Sequence, residues 1–188
     1  PPGDITSSIM PEPSLQDLIP RMRQRIRAAG VVNQAGARLT PGRFSAPVVV
    51  GRVCDPSPLM ATEAALGRAA PDRLVRGLAA AALMAGAHRV VLAVNGEDRD
   101  LLAGLTLAAQ GTRLELRPVP PRYPMDPEDL LCDLAQDESK SVPAAGLDRA
   151  LVLGARELWD LANALDGRPP SRRAVTVAGQ VAKPDVLQ

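Results

Sequence analysis

Aromatic residues are almost missing from this sequence of 188 residues, which contains one phenylalanine, one tyrosine and one tryptophan. Stacking platforms for nucleic-acid bases therefore cannot be built. Neither sign of charge is in excess either, because 22 lysines and arginines stand against 21 acids and the net charge is +1. This balance gives no electrostatic reason to expect nucleic acid or an anionic membrane as the main partner.

Cysteine, histidine and long apolar runs are equally scarce. The two cysteines, Cys54 and Cys132, lie far apart without metal-ligand spacing, so we expect no disulfide framework and a reducing, cytoplasmic environment. The single histidine, His88, disfavours histidine-dependent nucleophilic catalysis and histidine-ligated zinc. No apolar run approaches the ~20 residues that a membrane span requires. A soluble domain without a complete catalytic site of its own is the prediction.

Short β-branched runs alternate with helical segments through most of the chain. Strands are predicted at residues 48–50, 90–94, 114–116, 150–153 and 174–177. Helices are predicted at about residues 72–86 and 98–110, from residue 126, and between the fourth strand and residue 166. Strands that are separated by helices of this length form parallel βαβ units. The pattern therefore predicts a Rossmann-like, three-layer α/β domain with a mainly parallel sheet of about five strands and flanking helices.

The N-terminal region divides into an arm and a helix. Residues 1–13 are proline-rich and are predicted to form an extended arm, and residues 14–188 to form the domain. Ser14 is a predicted N-cap of a helix that ends at Gly30. Pro20 falls inside this helix and is expected to kink or restart it.

The segment after the first strand is the best place for a ligand, because parallel sheets bind ligands beyond the carboxyl ends of their strands. Asp55 follows that strand and could hydrogen-bond a ribose or a flavin, or simply form a turn with Pro56. Cys54 is either a reactive thiol or a small packed side chain, and the absence of an adjacent basic residue favours packing. Asn95 follows the second strand and is expected to face the same crevice.

Other charged positions have simpler explanations. The alternate arginines of the first helix are more typical of a solvated face than of a phosphate site; they are Arg21, Arg23, Arg25 and Arg27. The acids at residues 126–129 and 137–138 fall at a predicted helix start and in a polar loop, where capping and solubility account for them. His88 lies at a helix-to-strand turn, at the end of the sheet opposite the expected crevice.

Several short motifs nevertheless follow one another in a recognisable order. They are the helix and small-residue loop at residues 26–41, Cys54-Asp55-Pro56, Arg122-Tyr123-Pro124, and Val175-Thr176-Val177-Ala178-Gly179 with Lys183-Pro184. In this order they resemble the flavin- and NADH-binding domain of RnfC-type proteins. The same superfamily includes the flavin-bearing subunit of respiratory complex I and the NqrA subunit of the sodium-pumping quinone reductase. The resemblance spans about Leu15 to Gln188 and implies partners among the subunits of a redox complex, peripheral to a membrane.

The segments that hold flavin in that family are altered here. Of a loop close to Gly-x-Gly-Gly-Ala-Gly-Phe-Pro-Thr, this sequence keeps Ala35, Gly36, Ala37 and Thr40, with Arg38 and Leu39 in place of the phenylalanine and proline. The family's Glu-Cys-Glu-Pro becomes Val53-Cys54-Asp55-Pro56, its Gly-Gly-Glu becomes Asp126-Pro127-Glu128, and its asparagine after the fourth strand is replaced around Gly154. Each of these changes removes groups that would contact a flavin.

Two hypotheses for function follow from the resemblance. In the first, the domain has lost its FMN and NADH site, needs no cofactor, and acts as a structural or docking part of an NADH/quinone or ferredoxin-linked oxidoreductase system. In the second, it still binds FMN or NAD(H) and transfers electrons. The contacts would then be Gly36, Thr40, Asp55 and Asn95, in that order.

Overall fold

The computed structural model describes residues 15–33, 36–39, 45–121, 123, 130, 131, 134 and 149–187. Helices and strands make up most of this part of the chain. The helices are α1 (Leu15–Ala29), α2 (Thr62–Ala69), α3 (Pro71–Ala85), α4 (Arg99–Ala108) and α5 (Ala155–Leu165). The strands are β1 (Val48–Val53), β2 (Arg89–Asn95), β3 (Glu115–Val119), β4 (Leu151–Gly154), β5 (Val175–Val177) and β6 (Asp185–Leu187). The predicted arm at residues 1–13 and the polar loop at residues 136–146 lie outside the described residues.

Four of the strands form one parallel sheet with the order β3-β2-β1-β4. β1 pairs with β2 along its whole length, from Val48 opposite Arg89 to Val53 opposite Val94. On its other side, β1 pairs with β4. The two inner strands are largely apolar on both faces, as a sheet covered on both sides requires. The predicted fold class is therefore confirmed, and β3 lies at one edge of the sheet.

The fifth predicted strand does not join this sheet. β5 forms a separate antiparallel ribbon with β6, in which Val175 lies opposite Leu187. β5 is only three residues long, and its first residue, Val175, is 54% exposed. A strand of a parallel sheet is buried on both faces, and β5 has too little apolar surface to fill such a position. Among the residues that the structure describes, the parallel sheet consequently has four strands instead of about five.

Side chains of β1 alternate between two apolar clusters. Val49 and Val53 belong to a large cluster formed with α1, α3, α4 and α5 on one face of the sheet. Val48 and Val50 face the other side, where the helical residues Leu130 and Leu134 pack against them. This alternation is the two-residue period of a strand, and it gives the domain its three layers.

The tightest contact between helices joins α3 and α5. Gly77 of α3 approaches the backbone of Leu158 so closely that a Cβ atom added to the glycine would lie 2.0 Å from the Leu158 carbonyl oxygen. Arginines of α3 reach across the same interface. Arg73 donates to Asn163 at 2.9 Å and stacks on the Trp159 ring at 4.7 Å from its centroid, so the position of α5 is fixed from its middle.

α1 packs across the ends of these two helices. Met22 and Ile26 are buried in the large cluster. Arg23 donates to the Met84 carbonyl near the end of α3 at 2.8 Å, and Arg25 donates to the Leu165 carbonyl at the end of α5. These two arginines thus satisfy helix C-termini instead of forming only the solvated face that the sequence suggested.

Pro20 does not divide the first helix. α1 is one continuous α-helix through Pro20. The proline therefore does not restart it, since it removes only one backbone hydrogen bond from a helix held by its buried face. α3 begins at Pro71 with Ala70 as its N-cap residue, and Asp72 lies in its first turn. The extra helix α2, which the sequence did not predict, occupies the preceding segment.

Gly77→Ala is expected to destabilise the domain, because the added methyl group meets backbone atoms that no rotamer change can move. Overpacking of this kind costs about 1–3 kcal/mol. Gly104→Ala in α4 is the matched control. Its Cβ would have Pro71 as its nearest neighbour, at 4.0 Å, so helix propensity should stabilise that variant by up to about 1 kcal/mol. Urea unfolding followed by circular dichroism measures both. Equal effects of the two substitutions would contradict the close approach.

Candidate functional site

The strand order reverses between β1 and β4. After β1 the chain adds β2 and β3 on one side, and β4 then lies on the other side of β1. In open parallel sheets the crevice outside the carboxyl ends of the strands, at this switch point, is where ligands bind. The segments that meet there are Cys54 and Asp55, after β1, and Gly154 and Ala155, where β4 leads into α5.

Asp55 caps the helix that follows it. Its Oδ1 accepts a hydrogen bond from the Glu63 amide at 2.9 Å, and its Oδ2 accepts one from the Ala64 amide at 3.1 Å. The N-cap residue of α2 is Ala61, which has no side-chain acceptor. The carboxylate of Asp55 therefore takes over the capping of α2, and both of its oxygens are engaged by the chain itself.

Glu63 extends from α2 to the start of α5. Its side chain is only 6% exposed, and its Oε2 accepts a hydrogen bond from the Ala155 amide. Both carboxylate oxygens lie 3.1 Å from the position that a Cβ atom on Gly154 would occupy. The free amides and the dipole at a helix N-terminus attract anions. In this chain the anion at the N-terminus of α5 is the carboxylate of Glu63.

Burial raises the pKa of Glu63 from 4.5 to about 7. The Ala155 amide and the Arg52 guanidinium favour the charged form, whereas Asp55 and Glu157 oppose it. Arg52 is itself 3% exposed, on β1 opposite Gly154. The switch point therefore holds a compact group of charges belonging to the protein, and Glu63 ionises in the neutral pH range.

A second carboxylate closes the same helix end. Oε2 of Glu157 accepts a hydrogen bond from the Gly154 amide at 2.6 Å, and the Glu157 side chain is buried. Together with Glu63, it engages the two consecutive amides at the β4–α5 junction. These are the groups that a phosphate would use at this position.

Two cavities border this arrangement. One, of about 210 Å³, is lined by residues of α2 and of the α5 N-terminus, among them Thr62, Glu63, Gly154 and Glu157. The other, of about 350 Å³, lies toward β2 and β3; we refer to it as the β2-side crevice. Its apolar wall consists of Pro58, Met60, Pro120, Pro121 and Tyr123, and its polar groups come from Asp55, Ser57 and Asn95.

Known proteins of similar sequence are oxidoreductases. Cobalamin reductase PduS of Salmonella typhimurium is 31% identical over 169 residues, which cover 87% of this chain and 37% of PduS. A component of the ion-translocating oxidoreductase complex of Vibrio cholerae is 23% identical over 182 residues, covering 91% of this chain and 23% of that protein. The chain thus spans well under half of these relatives. No protein-family model matches the sequence.

The fold has a counterpart of known structure. A chain of an NAD+-reducing [NiFe]-hydrogenase in its H2-reduced state superposes with a TM-score of 0.70 at 20% identity, covering 93% of this chain and 37% of that one. The air-oxidized state gives a TM-score of 0.67. The chain is thus similar in sequence to RnfC-type proteins and has the fold of the hydrogenase chain.

The RnfC-like domain brings two of the four predicted contacts together. Asp55 and Asn95 both line the β2-side crevice, as their positions after adjacent strands predicted. The Asn95 side chain also accepts a hydrogen bond from the Glu97 amide at 3.0 Å. Thr40 lies outside the described residues. A role for these residues in binding a cofactor stays a prediction.

Gly36 lies on a tight turn instead of lining either cavity. It is exposed, with a φ of +80°, and its amide donates to the Asn33 carbonyl at 2.9 Å. The same carbonyl accepts a hydrogen bond from Arg156, in the first turn of α5, at 3.0 Å. The turn is therefore tethered beside the switch point, while the Gly36 amide is used within the turn.

Cys54 and His88 take structural positions in the RnfC-like domain. Burial raises the pKa of the Cys54 thiol to about 12, and its Sγ lies 3.6 Å from the Ala93 carbonyl oxygen, so the side chain is packed and not activated. His88 is exposed between α3 and β2, where its amide donates to the Pro47 carbonyl. Among the described residues no group of three or more potential ligands could hold a metal ion. Nor does any described helix combine the length and apolar character needed to cross a bilayer.

Three residues that dominate this site were not predicted from the sequence; they are Glu63, Glu157 and Arg52. A signal was present for the first two. The segment TEAALGRA lies between Pro58 and Pro71 and has helix-forming composition with an acid in its first turn. Glu157 stands three residues after the glycine that ends β4, the spacing of an acid that returns to cap its own helix.

Glu63→Gln is expected to change how stability depends on pH. The pKa of Glu63 is raised from 4.5 to about 7 on folding, so the folded state binds the proton more tightly than the unfolded state does. The contribution to stability is full below about pH 4.5 and is lost as the pH rises to about 7 and above. The amide variant keeps the shape and cannot ionise. As the pH rises from 4.5 to 7, the free energy of unfolding of the variant should therefore increase relative to that of the wild type, by on the order of 1–3 kcal/mol.

The measurement is urea unfolding of both proteins at several pH values. Taking the difference between them cancels the titration of other acids, including Asp160, whose pKa burial raises to about 6, and Asp166, whose pKa two arginines lower to about 2. Parallel stability curves for the two proteins between pH 4.5 and 7 would show that Glu63 is not the titrating group.

Proposed function

We propose that this chain is the RnfC-like domain of an electron-transfer oxidoreductase system, NADH/quinone- or ferredoxin-linked, in which the flavin site is closed and the domain has a structural or docking role. The oxidoreductase assignment is supported by the relatives, a cobalamin reductase and a component of an ion-translocating oxidoreductase complex. The partners would be the other subunits of such a complex, and the domain would lie on its cytoplasmic, peripheral side.

The observation that carries the proposal is the carboxylate of Glu63 at the N-terminus of α5. A flavin phosphate bound at the start of α5 would use the amides at residues 154 and 155, and these already donate to Glu157 and Glu63. Glu63 is also negatively charged over part of the neutral range, so a phosphate would meet both an occupied position and a like charge. The residues present at the switch point do not fit the phosphate of FMN.

Two further contacts support the same conclusion. Each oxygen of Asp55 accepts a hydrogen bond from an amide of α2, so a ribose or an isoalloxazine ring would have to share this acid with the helix that it caps. The amide of Gly36 is likewise used within its own turn. The Asp55 carboxylate and the Gly36 amide, which could bind a cofactor, thus form hydrogen bonds within the chain itself.

The alternative is a domain that still binds FMN or NAD(H). The observation in its favour is the β2-side crevice of about 350 Å³, an apolar cleft with Asn95 at the end of β2. Cleft size and a mixture of apolar walls with few polar groups are typical of sites for small ligands. The phosphate of a cofactor bound there would have to lie away from the N-terminus of α5.

Calorimetric titration of the purified chain with FMN and then with NADH distinguishes the two functions. For the closed site we expect a colourless protein and no heat of binding at micromolar protein and ligand, because the anion position at α5 is filled from within. Glu63→Gln is expected to behave in the same way, since it removes the charge and keeps the side chain in place. A flavin absorbance spectrum, or micromolar affinity for FMN, would overturn the proposal.

If binding is observed, substitution of Gly36 tests the predicted contact. Gly36→Val places a β-branched side chain on the turn beside the switch point and should abolish flavin binding. Gly111→Val is the matched control, because both glycines have positive φ, +80° and +75°, and both have open space around the missing Cβ atom. Unchanged affinity in Gly36→Val, or an equal loss in both variants, would remove Gly36 from the site.

A further inference from the structure

A third cavity, of about 420 Å³, lies between α5 and the loop that leads to β5. We call it the arginine cavity, since four of its lining residues are Arg73, Arg156, Arg168 and Arg172. Among the described residues that line it, the only acid is Asp160, which is 7% exposed and whose pKa burial raises to about 6. The described lining includes no residue predicted from the sequence as a cofactor contact.

The charge of this cavity differs sharply from that of the whole chain. Four arginines against one aspartate give the described lining a net charge of +3, whereas all 188 residues together carry +1. Within the described part of the chain, Arg172 makes no ion pair or hydrogen bond, and Arg168 pairs only with the exposed Asp166. A concave surface of this kind attracts anions, and guanidinium groups match carboxylates in geometry.

The aromatic side chain of the arginine cavity is already in use. The guanidinium of Arg73 covers one face of Trp159, 4.7 Å from the ring centroid. Arg73 also donates to the Asn163 amide oxygen at 2.9 Å. Stacking on that face of the tryptophan and pairing with that oxygen therefore compete with Arg73. The excess of guanidinium groups favours recognition of negative charge.

The segment at residues 169–173, most of which lines the cavity, favours a peptide over a small anion. This exposed segment begins with Pro169 and Pro170, and its backbone forms no hydrogen bond within the described residues. Carbonyl groups and the amides after the prolines are thus available to pair with a second extended chain. The cavity is also far larger than the ~30 Å³ that one water molecule occupies in the liquid, so a single inorganic anion would fill little of it.

We propose that the arginine cavity is a docking site for an acidic, extended peptide segment of a partner protein, held by its Asp and Glu side chains. The inference deepens the proposed docking role and rests on it. Carboxylates of the segment would pair with Arg156, Arg168 and Arg172, and its backbone would run beside residues 170–173. Charge complementarity selects the partner, because the acidic segment supplies what the cavity lacks.

The test is a fluorescence anisotropy titration of the chain with a labelled short peptide of alternating Glu and Asp, beside the same peptide built from Gln and Asn. We expect binding of the acidic peptide alone, weakened by salt. Arg172→Glu should raise its dissociation constant by about tenfold or more. Arg113→Glu is the matched control, because it makes the same change of charge at an exposed position outside the cavity and should have an effect below about twofold.

Three outcomes would overturn the inference. They are no binding of the acidic peptide, equal losses in Arg172→Glu and Arg113→Glu, and binding of tripolyphosphate that depends on Arg172 while the peptide fails to bind. FMN is titrated into the same sample, which separates this result from the proposed function. Binding of FMN would contradict the proposed closed flavin site without affecting the result for the peptide. If neither FMN nor the acidic peptide binds, only the proposed peptide-docking site is contradicted.

Discussion

The N-terminus of α5 is the point on which the arrangement of this domain depends. Its first amides lie at the switch point of the sheet, where the helix dipole makes a negative charge favourable. Glu63 and Glu157 supply that charge from within the chain. Burying a carboxylate is costly unless hydrogen bonds and opposite charge compensate, and here the Ala155 amide and Arg52 compensate only in part, as the raised pKa of Glu63 shows.

One chain of contacts links this point to the rest of the fold. Asp55 leaves β1 and caps α2, and α2 presents Glu63 to α5. At the same helix end, the Thr62 hydroxyl lies 2.7 Å from the hydroxyl of Thr176 in β5. α2 consequently joins the central sheet, α5 and the outer ribbon. A ligand that displaced Glu63 would have to compete with contacts that also position β5.

The sequence predicted the parts of this structure that depend on local pattern. The runs at residues 48–50 and 90–94, which lie in β1 and β2, are fully apolar, and the helix predicted from residue 98 forms with Asp98 as its N-cap. β5 also forms as a strand, but its pairing with β6 and not with the central sheet depends on contacts that a three-residue pattern cannot specify. Helix α2 was missed because its short segment lies between prolines and has little amphipathic pattern.

The site could be located from the sequence but not described. Asp55 and Asn95 each follow a parallel strand, and the carboxyl ends of parallel strands meet at one edge of the sheet. Their place at one crevice could therefore be predicted. The hydrogen-bond partner of Glu63 could not be predicted from the sequence. Glu63 and Ala155 are 92 residues apart in the chain, and no local rule connects an acid in one helix with the amide of another. Whether an acid binds a ligand or a neighbouring helix is decided by tertiary contacts.

The N-terminus and the side of α5 therefore differ in whether their anion-binding groups are free to bind a partner. At its N-terminus, the groups that could bind an anion are engaged by Glu63 and Glu157. Along its side, Arg156 and the loop arginines form a positive cavity that, among the described residues lining it, Asp160 alone opposes. Burial raises the pKa of Asp160 to about 6. As the pH falls toward that value, Asp160 loses its negative charge and the net positive charge of the cavity increases. An anionic partner thus meets a filled position at the switch point and an excess of positive charge beside it, which favours recognition on the flank of α5 over binding at the sheet edge.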